Sequence, residues 1–295
     1  MRIFNIPNEK KVRVIINTDA KNEVDDQFAI VQALLTESFD LRGLIAAHFG
    51  TGKSATSMQD SYDEIMYLLK LMDLEKDVVV KKGSPLALES ETDGKFSEGA
   101  QLIIEEAEKE EGTLYVAFLG PLTDMASAIL AKPEIVEKDI KVIWIGGGNY
   151  PVGGWEYNLK NDIHAANVVF KSGIEVWQVP RNVYRMMPVT FAELYNRVYP
   201  CGELGKYLTE NVIAFNNAGD KRPVEYRVLG DSPAIGVILY EDCGVWKQVK
   251  RPVFSGDATY NYDGDYGNLR VYENIDARFI LEDLYAKLKM WNERV

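Results

Sequence analysis

Residues 19 to 26, Asp-Ala-Lys-Asn-Glu-Val-Asp-Asp, carry four carboxylates, Asp19, Glu23, Asp25 and Asp26, against the one positive charge of Lys21. Carboxylates this close raise one another's pKa and destabilise a folded chain unless a positive group joins them. Asp25 and Asp26 also open an apolar helical pattern, where aspartates cap free N–H groups and complement the helix dipole. Capping uses one such acid, and Asp19 adds another across a tight turn at the end of a strand. Clustered oxygens with no Cys or His nearby describe a site for a hard cation, Ca2+ or Mg2+. Because Ca2+ takes about 6 to 8 oxygens, remote residues must contribute. The best remote candidate is Asp231 in YRVLGDSPAIGVIL, again an acid opening an apolar helix, with plain helix capping as the alternative there.

The elements that position these acids alternate along the chain. KVRVIINT reads as a strand, and Asp25 to Thr36 as a helix with Phe28, Val31 and Leu35 on one face. FDLRGLIAAHF, DVVVKKG, TLYVAFLG, IKVIWIGGG and IEVWQVP read as further strands. Helices are expected around Tyr62 to Met72, Gly99 to Glu111, Asp124 to Leu130 and Ala165 to Lys171, and a terminal amphipathic helix in NIDARFILEDLYAKLKMW. Such alternation predicts an α/β fold, a Rossmann-like, mostly parallel sheet with helices on both faces. SGDATYNYDGDYGNL, residues 255 to 269, reads as a loop or small hairpin. No linker or repeat interrupts the pattern, so a single domain over 1–295, with room for a helical lid, is the economical reading. Ligands of such sheets bind at the carboxyl ends of the strands. That edge would collect Asp19, AHFGT, LGPLT, GGGNY and PRNVY.

Composition narrows the partners. A net charge of −12 argues against nucleic acid or an anionic membrane. No apolar run approaches the roughly 18 to 20 residues that span a bilayer. The first residues lack a signal-peptide pattern, and Cys201 and Cys243 have no metal or redox spacing, which together read as cytoplasmic. With only His48 and His164 as imidazoles, a metal here needs oxygen ligands.

Several of these segments resemble the Ca2+-dependent, inosine-uridine-preferring nucleoside hydrolases. VIINTDAKNEVDDQFAI is similar to that family's N-terminal metal loop, LGPLTDMASAI to its Gly-Pro-Leu-Thr-Asn turn and helix, and WIGGG to its Met-Gly-Gly turn. WEYNLKNDIHAANVVF resembles its Ala-Glu-Phe-Asn stretch with the following Asp-Pro-x-Ala-Ala, and LGDSPAIG its late His-Asp-Pro helix start. The resemblance implies the nucleoside hydrolase fold and hydrolysis of an N-ribosyl bond, with Asp19, Asp26, Asp231 and the Leu119 carbonyl as Ca2+ ligands. It makes Asp19 the general base for a calcium-bound water and gives Asp25, Glu156, Asn158 and Asn182 to the sugar. It also implies a small nucleoside or ribosyl substrate and a homodimer or homotetramer.

Three departures bear on substrate. The metal loop is two residues longer than the usual Asp-Pro-Gly-x-Asp-Asp, and its Asn22-Glu23 matches a divergent branch with Asn-Glu-x-Asp-Asp. These two side chains reach the metal or sugar, or else project into solvent or brace the loop. The His that in some members protonates the leaving base is Gly230 here, leaving Tyr184, Arg185, Tyr226, Arg227 and His48 as candidate donors. The second strand ends on His48, Gly50 and Thr51 where an Asn is usual, so His48 is also a candidate substrate contact. The same metal site could serve another glycoside, or a Ca2+-dependent sugar-binding protein without catalysis.

Overall fold

The computed structural model describes residues 5–109, 111–218 and 224–293. Its centre is an eight-stranded sheet in the order β3-β2-β1-β4-β5-β6-β12-β9. The strands in chain order are β1 (Val12–Thr18), β2 (Phe39–Ala46), β3 (Val80–Lys82), β4 (Leu114–Phe118), β5 (Ile140–Ile145) and β6 (Glu175–Val179). They continue as β7 (Pro188–Thr190), β8 (Tyr226–Val228), β9 (Gly244–Lys250), β10 (Val253–Phe254), β11 (Tyr260–Asn261) and β12 (Asn268–Ile275). Strands β1 to β6 and β12 run parallel, and β9 closes one edge antiparallel to β12. The short pairs β7–β8 and β10–β11 lie outside this sheet.

Burial explains the strand sequences. Val14, Ile15 and Ile16 of β1 are all fully buried because helices cover both faces of a central parallel strand. Alternate residues therefore feed two cores: Val14 and Ile16 join one, and Ile15 joins the other. The edge strand β9, GVWKQVK, mixes apolar and charged residues because only part of it is covered.

The helices are α1 (Asp26–Leu34), α2 (Ser57–Leu71), α3 (Glu98–Glu108), α4 (Thr123–Ala131), α5 (Tyr157–Asn161) and α6 (Ile163–Lys171). After them come α7 (Arg181–Tyr184), α8 (Phe191–Arg197), α9 (Gly202–Asn217), α10 (Ser232–Leu239) and α11 (Ala277–Asn292). Residues of α1, α2, α9, α10 and α11 build the first core, and those of α3, α4 and α6 the second. In α11 the buried Ile280, Leu281, Leu284, Tyr285 and Leu288 recur at helical spacing, and Asp276 caps its first turn by accepting the Phe279 N–H.

The α/β expectation holds, with the boundaries shifted. The second helix starts at Ser57 rather than near Tyr62, and the third strand shrinks to Val80–Lys82. The expected end of the helix at Glu111 passes through residue 110, which lies outside the described residues, and the helix stops at Glu108. The stretch 255–269 does contain a hairpin strand, β11, but its last residues already enter β12. Alternation missed β12 and β9 because neither belongs to a strand-helix repeat. No helix among the described residues is long and apolar enough to cross a membrane.

The chain leaves β1 toward β2 and β3 on one side, then returns to lay β4, β5 and β6 on the other. The carboxyl ends of β1 and β4 therefore flank a topological switch point, where open sheets of this kind form a crevice. Trp144 on β5 anchors that edge from below. It is fully buried, packs edge-on against Phe170 at 5.5 Å and Phe254 at 6.0 Å between centroids, and donates from Nε1 to the Gly120 carbonyl at 3.2 Å. Replacing it by Ala removes a large buried ring, for which a loss of about 3–5 kcal/mol is expected. Urea denaturation should show this as a lower midpoint with an unchanged slope.

Candidate active site

The crevice opens into a cleft of about 450 Å3 whose walls include Asp19, Asn22, Glu23, Asp25, Asp26, Leu119, Glu156, Asn158 and Asp231. Asp19 follows β1, Asp25 and Asp26 begin α1, Leu119 follows β4, and Asp231 precedes α10. One carboxylate oxygen from each of Asp25, Asp26 and Asp231 lies within 4.8 Å of the others. Asp19, Asp26 and Asp231 are buried, and Asp25 is half-buried.

The capping alternative does not account for these acids. Asp25 and Asp231 occupy the N-cap positions of α1 and α10, yet neither side chain caps its helix. Asp25 instead accepts the Gly230 N–H at 2.9 Å, bridging two remote segments. Asp26 accepts from the Thr18 hydroxyl. Asp19 accepts from Asn22 Nδ2 at 2.9 Å. Gly120 lets the end of β4 press on this acid, since a Cβ there would meet the Asp19 carboxylate at 3.0 Å.

Electrostatics follow from crowding without water. Burial pushes the Asp26 carboxyl up to about 8, helped by Asp25 and Glu23 and opposed by its hydrogen bonds to Thr18 and Asp231. Asp25 is pushed up to about 6 by burial and Glu23, with Arg227 pulling it down. Asp19 and Asp231 are also raised well above the ordinary carboxylate value, first by burial and then by neighbouring acids. Oxygen donors held together, poorly solvated and uncapped, are a donor set for a hard divalent cation, whose charge would reverse these shifts.

The remaining sequence candidates divide. Asn158 lines the cleft and spends both Nδ2 hydrogens, on the Leu119 carbonyl at 2.7 Å and the Ile145 carbonyl at 2.8 Å, tying β4 to β5. Its Oδ1 is what it can still offer a ligand. Glu156 also lines the cleft but is occupied by the fold. It accepts from the backbone N–H groups of Gly147, Asn158 and Leu159 and from the Tyr184 hydroxyl. A carboxylate has about four acceptor positions, so a sugar hydroxyl would have to displace one of these donors, Tyr184 being the one that is a side chain rather than backbone.

His48 and Asn182 were expected at the sugar, and neither lines the cleft. His48 is buried at the end of β2, with Nδ1 accepting the Gly50 N–H and Nε2 against Thr123 Oγ1 at 2.9 Å. Thr123 in turn donates to Asp162. Burial pulls the His48 imidazole down to about 4. The chain of donors leaves it neutral and committed to structure, which also removes it as a proton donor. Asn182 is exposed and accepts the Tyr150 N–H at 3.0 Å, bracing the loop beside the cleft.

The two extra loop residues brace the acids. Asn22 is buried, and its carbonyl and Oδ1 receive Lys53 Nζ at 3.2 and 2.6 Å while its amide holds Asp19. Glu23 forms an ion pair with Arg227 of β8. Lys21, the one local counter-charge in the sequence, turns away to Glu64 at 2.6 Å. Sequence reasoning did not single out Lys53, Arg181, Tyr157 or Asn216. Asn216 lies far along the chain from any quoted motif and Lys53 falls two residues past AHFGT, whereas Arg181 and Tyr157 sit inside quoted motifs but carry no distinctive spacing.

Comparison with known proteins accords with this cleft. The sequence model described as inosine-uridine preferring nucleoside hydrolase matches residues 14–280. Uridine nucleosidase 1 of Arabidopsis thaliana is 27% identical over 212 residues, covering 63% of this chain and 61% of that protein. Probable uridine nucleosidase 2 of the same plant is 25% identical over 225 residues, covering 66% and 67%. The chain thus spans under two thirds of the first of these relatives and about two thirds of the second. Among solved structures, the purine-preferring ribonucleoside hydrolase from Gardnerella vaginalis shares the fold, with a TM-score of 0.80 at 18% identity over 96% of this chain and 100% of that one. A plant nucleoside hydrolase does so with a TM-score of 0.77 at 19% identity, covering 94% and 98%. The family match takes in every acid of the cleft floor, and this chain belongs to the inosine-uridine preferring nucleoside hydrolase family.

Proposed function

We propose that the chain, acting as a single domain, is a Ca2+-dependent N-ribosyl hydrolase that cleaves a ribonucleoside or related ribosyl compound into ribose and free base. The observation that carries this reading is the convergence of Asp25, Asp26 and Asp231 oxygens within 4.8 Å at the switch point, in a cleft that Asn158 and Glu156 also line. Asp26 and Asp231 belong both to that cluster and to the ligand set the resemblance implies. Asp19, with the Leu119 carbonyl, would complete the shell, and Asp25 would turn an oxygen to a ribose hydroxyl. Bound there, Ca2+ would lower the pKa of a water and favour binding of a sugar's hydroxyls.

The chain's own residues do the rest. Asp19, its orientation fixed by Asn22, takes the proton of the attacking water. Asp25 and Asn158 Oδ1 accept ribose hydroxyls and orient C1′ toward that water. The surrounding carboxylates favour the positive charge that an oxocarbenium-like sugar develops as the bond to nitrogen breaks. Trp155, Tyr157 and Tyr226 expose flat rings at the cleft mouth on which a base can lie. A non-catalytic sugar-binding protein is the competing reading, favoured by Gly230 standing where a proton-donating His occurs in some relatives.

Incubation with a nucleoside panel separates the two. We expect free ribose in the presence of Ca2+, none with EDTA, and recovery on adding Ca2+ back. No turnover on any nucleoside, together with Ca2+-dependent sugar binding in calorimetry, would establish the competing reading. Asp19→Asn should lower turnover by about 10²–10⁴-fold, the usual contribution of a general base, with the fold retained by circular dichroism. Full activity would remove Asp19 from the mechanism.

Stability should also report the cation. In EDTA the folded chain holds Asp25 and Asp26 at about 6 and about 8, above the ordinary value of 3.8. Between about pH 4 and about pH 8 it therefore binds more protons than the unfolded chain, and its stability falls as the pH rises. Saturating Ca2+ should flatten that fall, so the Tm difference between the two conditions widens toward pH 8. A Tm in EDTA that climbs over the same range would contradict this.

A further inference from the structure

The reading above leaves the departing base without a proton donor. The absence of His at position 230 is not a simple vacancy, because the Tyr184 ring and Asp25 fill the space. A Cβ on Gly230 would meet Tyr184 Cδ2 at 3.0 Å and Asp25 Oδ2 at 3.2 Å. No Lys or His lines the cleft among the described residues, and its cations are the guanidinium groups of Arg181, Arg185 and Arg227. A guanidinium keeps its protons at any working pH, so it can stabilise a negative charge but cannot act as a general acid. The nearby phenols are poor acids as well, that of Tyr184 being raised further by burial and by Glu156.

Arg227 is the one of the three built into place. Its guanidinium lies over the Phe215 ring at 4.8 Å, and Nη2 is tied to Glu23 of the lengthened metal loop. Both members of the pair are partly shielded, with 19% and 30% of their side chains exposed, so solvent screens the guanidinium less than it would a free surface Arg. Its Nε is buried without an acceptor and Nη2 serves Glu23, whereas Nη1 makes no hydrogen bond among the described residues, so this cleft-lining guanidinium keeps one donor to offer. Arg185, exposed on the same cleft, has no ion pair among the described residues.

Resting on the proposed N-ribosyl hydrolysis, we propose that Arg227, oriented by Glu23 and assisted by Arg185, stabilises the departing base as an anion. The C1′–N bond breaks with its electron pair passing to the base. Water forms the new C1′–O bond and gives its proton to Asp19, and the base takes up a proton from solvent after release. The acidic floor would repel such an anion, so a fixed cation opposite it lowers the barrier in the way an oxyanion hole does. Glu23 is then a positioning residue, and the two-residue lengthening of the loop serves the leaving group as well as the metal. The favoured substrates are ribosides of oxo-substituted pyrimidines or purines, whose ring anions are stable. Amino-substituted bases, which depart best when protonated, are disfavoured.

The test is a leaving-group series in Ca2+ buffer: uridine, inosine, cytidine, adenosine and 4-nitrophenyl riboside, whose phenolate leaves without help. Wild type should turn over uridine or inosine faster than cytidine and adenosine. Arg227→Met should lower kcat on uridine or inosine by about 100-fold and on 4-nitrophenyl riboside by under about 5-fold. Glu23→Gln should repeat that order with smaller losses, and Arg227→Lys should recover part of the rate. Should Arg227→Met fail to fold, as judged by circular dichroism, Glu23→Gln decides. Equal losses across the series, or unchanged rates, overturn this inference while leaving N-ribosyl hydrolysis standing. If wild type releases sugar from no riboside, both readings fall.

Discussion

Mutual repulsion among Asp19, Asp25, Asp26 and Asp231 is the constraint around which the carboxyl edge of the sheet is organised. Three of these acids are buried and the fourth half-buried. Taking carboxylates out of water and setting them side by side opposes their ionisation twice over. Hydrogen bonds from Thr18, Asn22 and Gly230 relieve part of that opposition, and a cation held by these oxygens would relieve the rest. None of the four is spared by being turned outward.

That constraint explains features scattered along the chain. Gly120 is small because the β4 end lies against Asp19, and Gly230 is small because Tyr184 and Asp25 occupy its surroundings. Asn158 stitches β4 to β5 beneath the cleft, so the Leu119 carbonyl has a fixed direction. Glu156 serves the same end by capping α5 and accepting the Gly147 N–H, which holds the Gly-rich turn after β5 in place. The lengthened loop is the chain's own variation on the theme. Asn22 couples Asp19 to Lys53, and Glu23 couples the loop to Arg227 on β8. Each extra residue brings one cation toward the acids from a remote segment.

The parallel sheet, its flanking helices and the acidic edge were legible in the sequence because they rest on local patterns. Fully aliphatic strands, amphipathic helices and an acid after a strand each follow from periodicity over a few residues. The last two strands of the sheet, β12 and the edge strand β9, were not legible, since they leave the strand-helix alternation, β12 pairing with β6 and β9 with β12. His48 and Asn182 show the same limit within the site. Each sits where a chain-order argument puts a ligand contact, yet each is drawn into a hydrogen bond, to Thr123 or to the Tyr150 N–H, that sequence spacing does not specify.

By itself, then, the sequence determined the fold class and marked residues 19 to 26 and Asp231 as acids that could share a cation, because residue type and position at the start of a helix suffice for these. Only the tertiary structure decided which acids converge, that Asp25 and Asp231 leave their helices uncapped, and what the Asn22-Glu23 insertion does. Those outcomes depend on residues 31 to 205 positions away, such as Lys53, Arg227 and Gly230. Where a side chain finds its partner across such a span is set by how the sheet closes and how the helices pack upon it, and no local pattern encodes that.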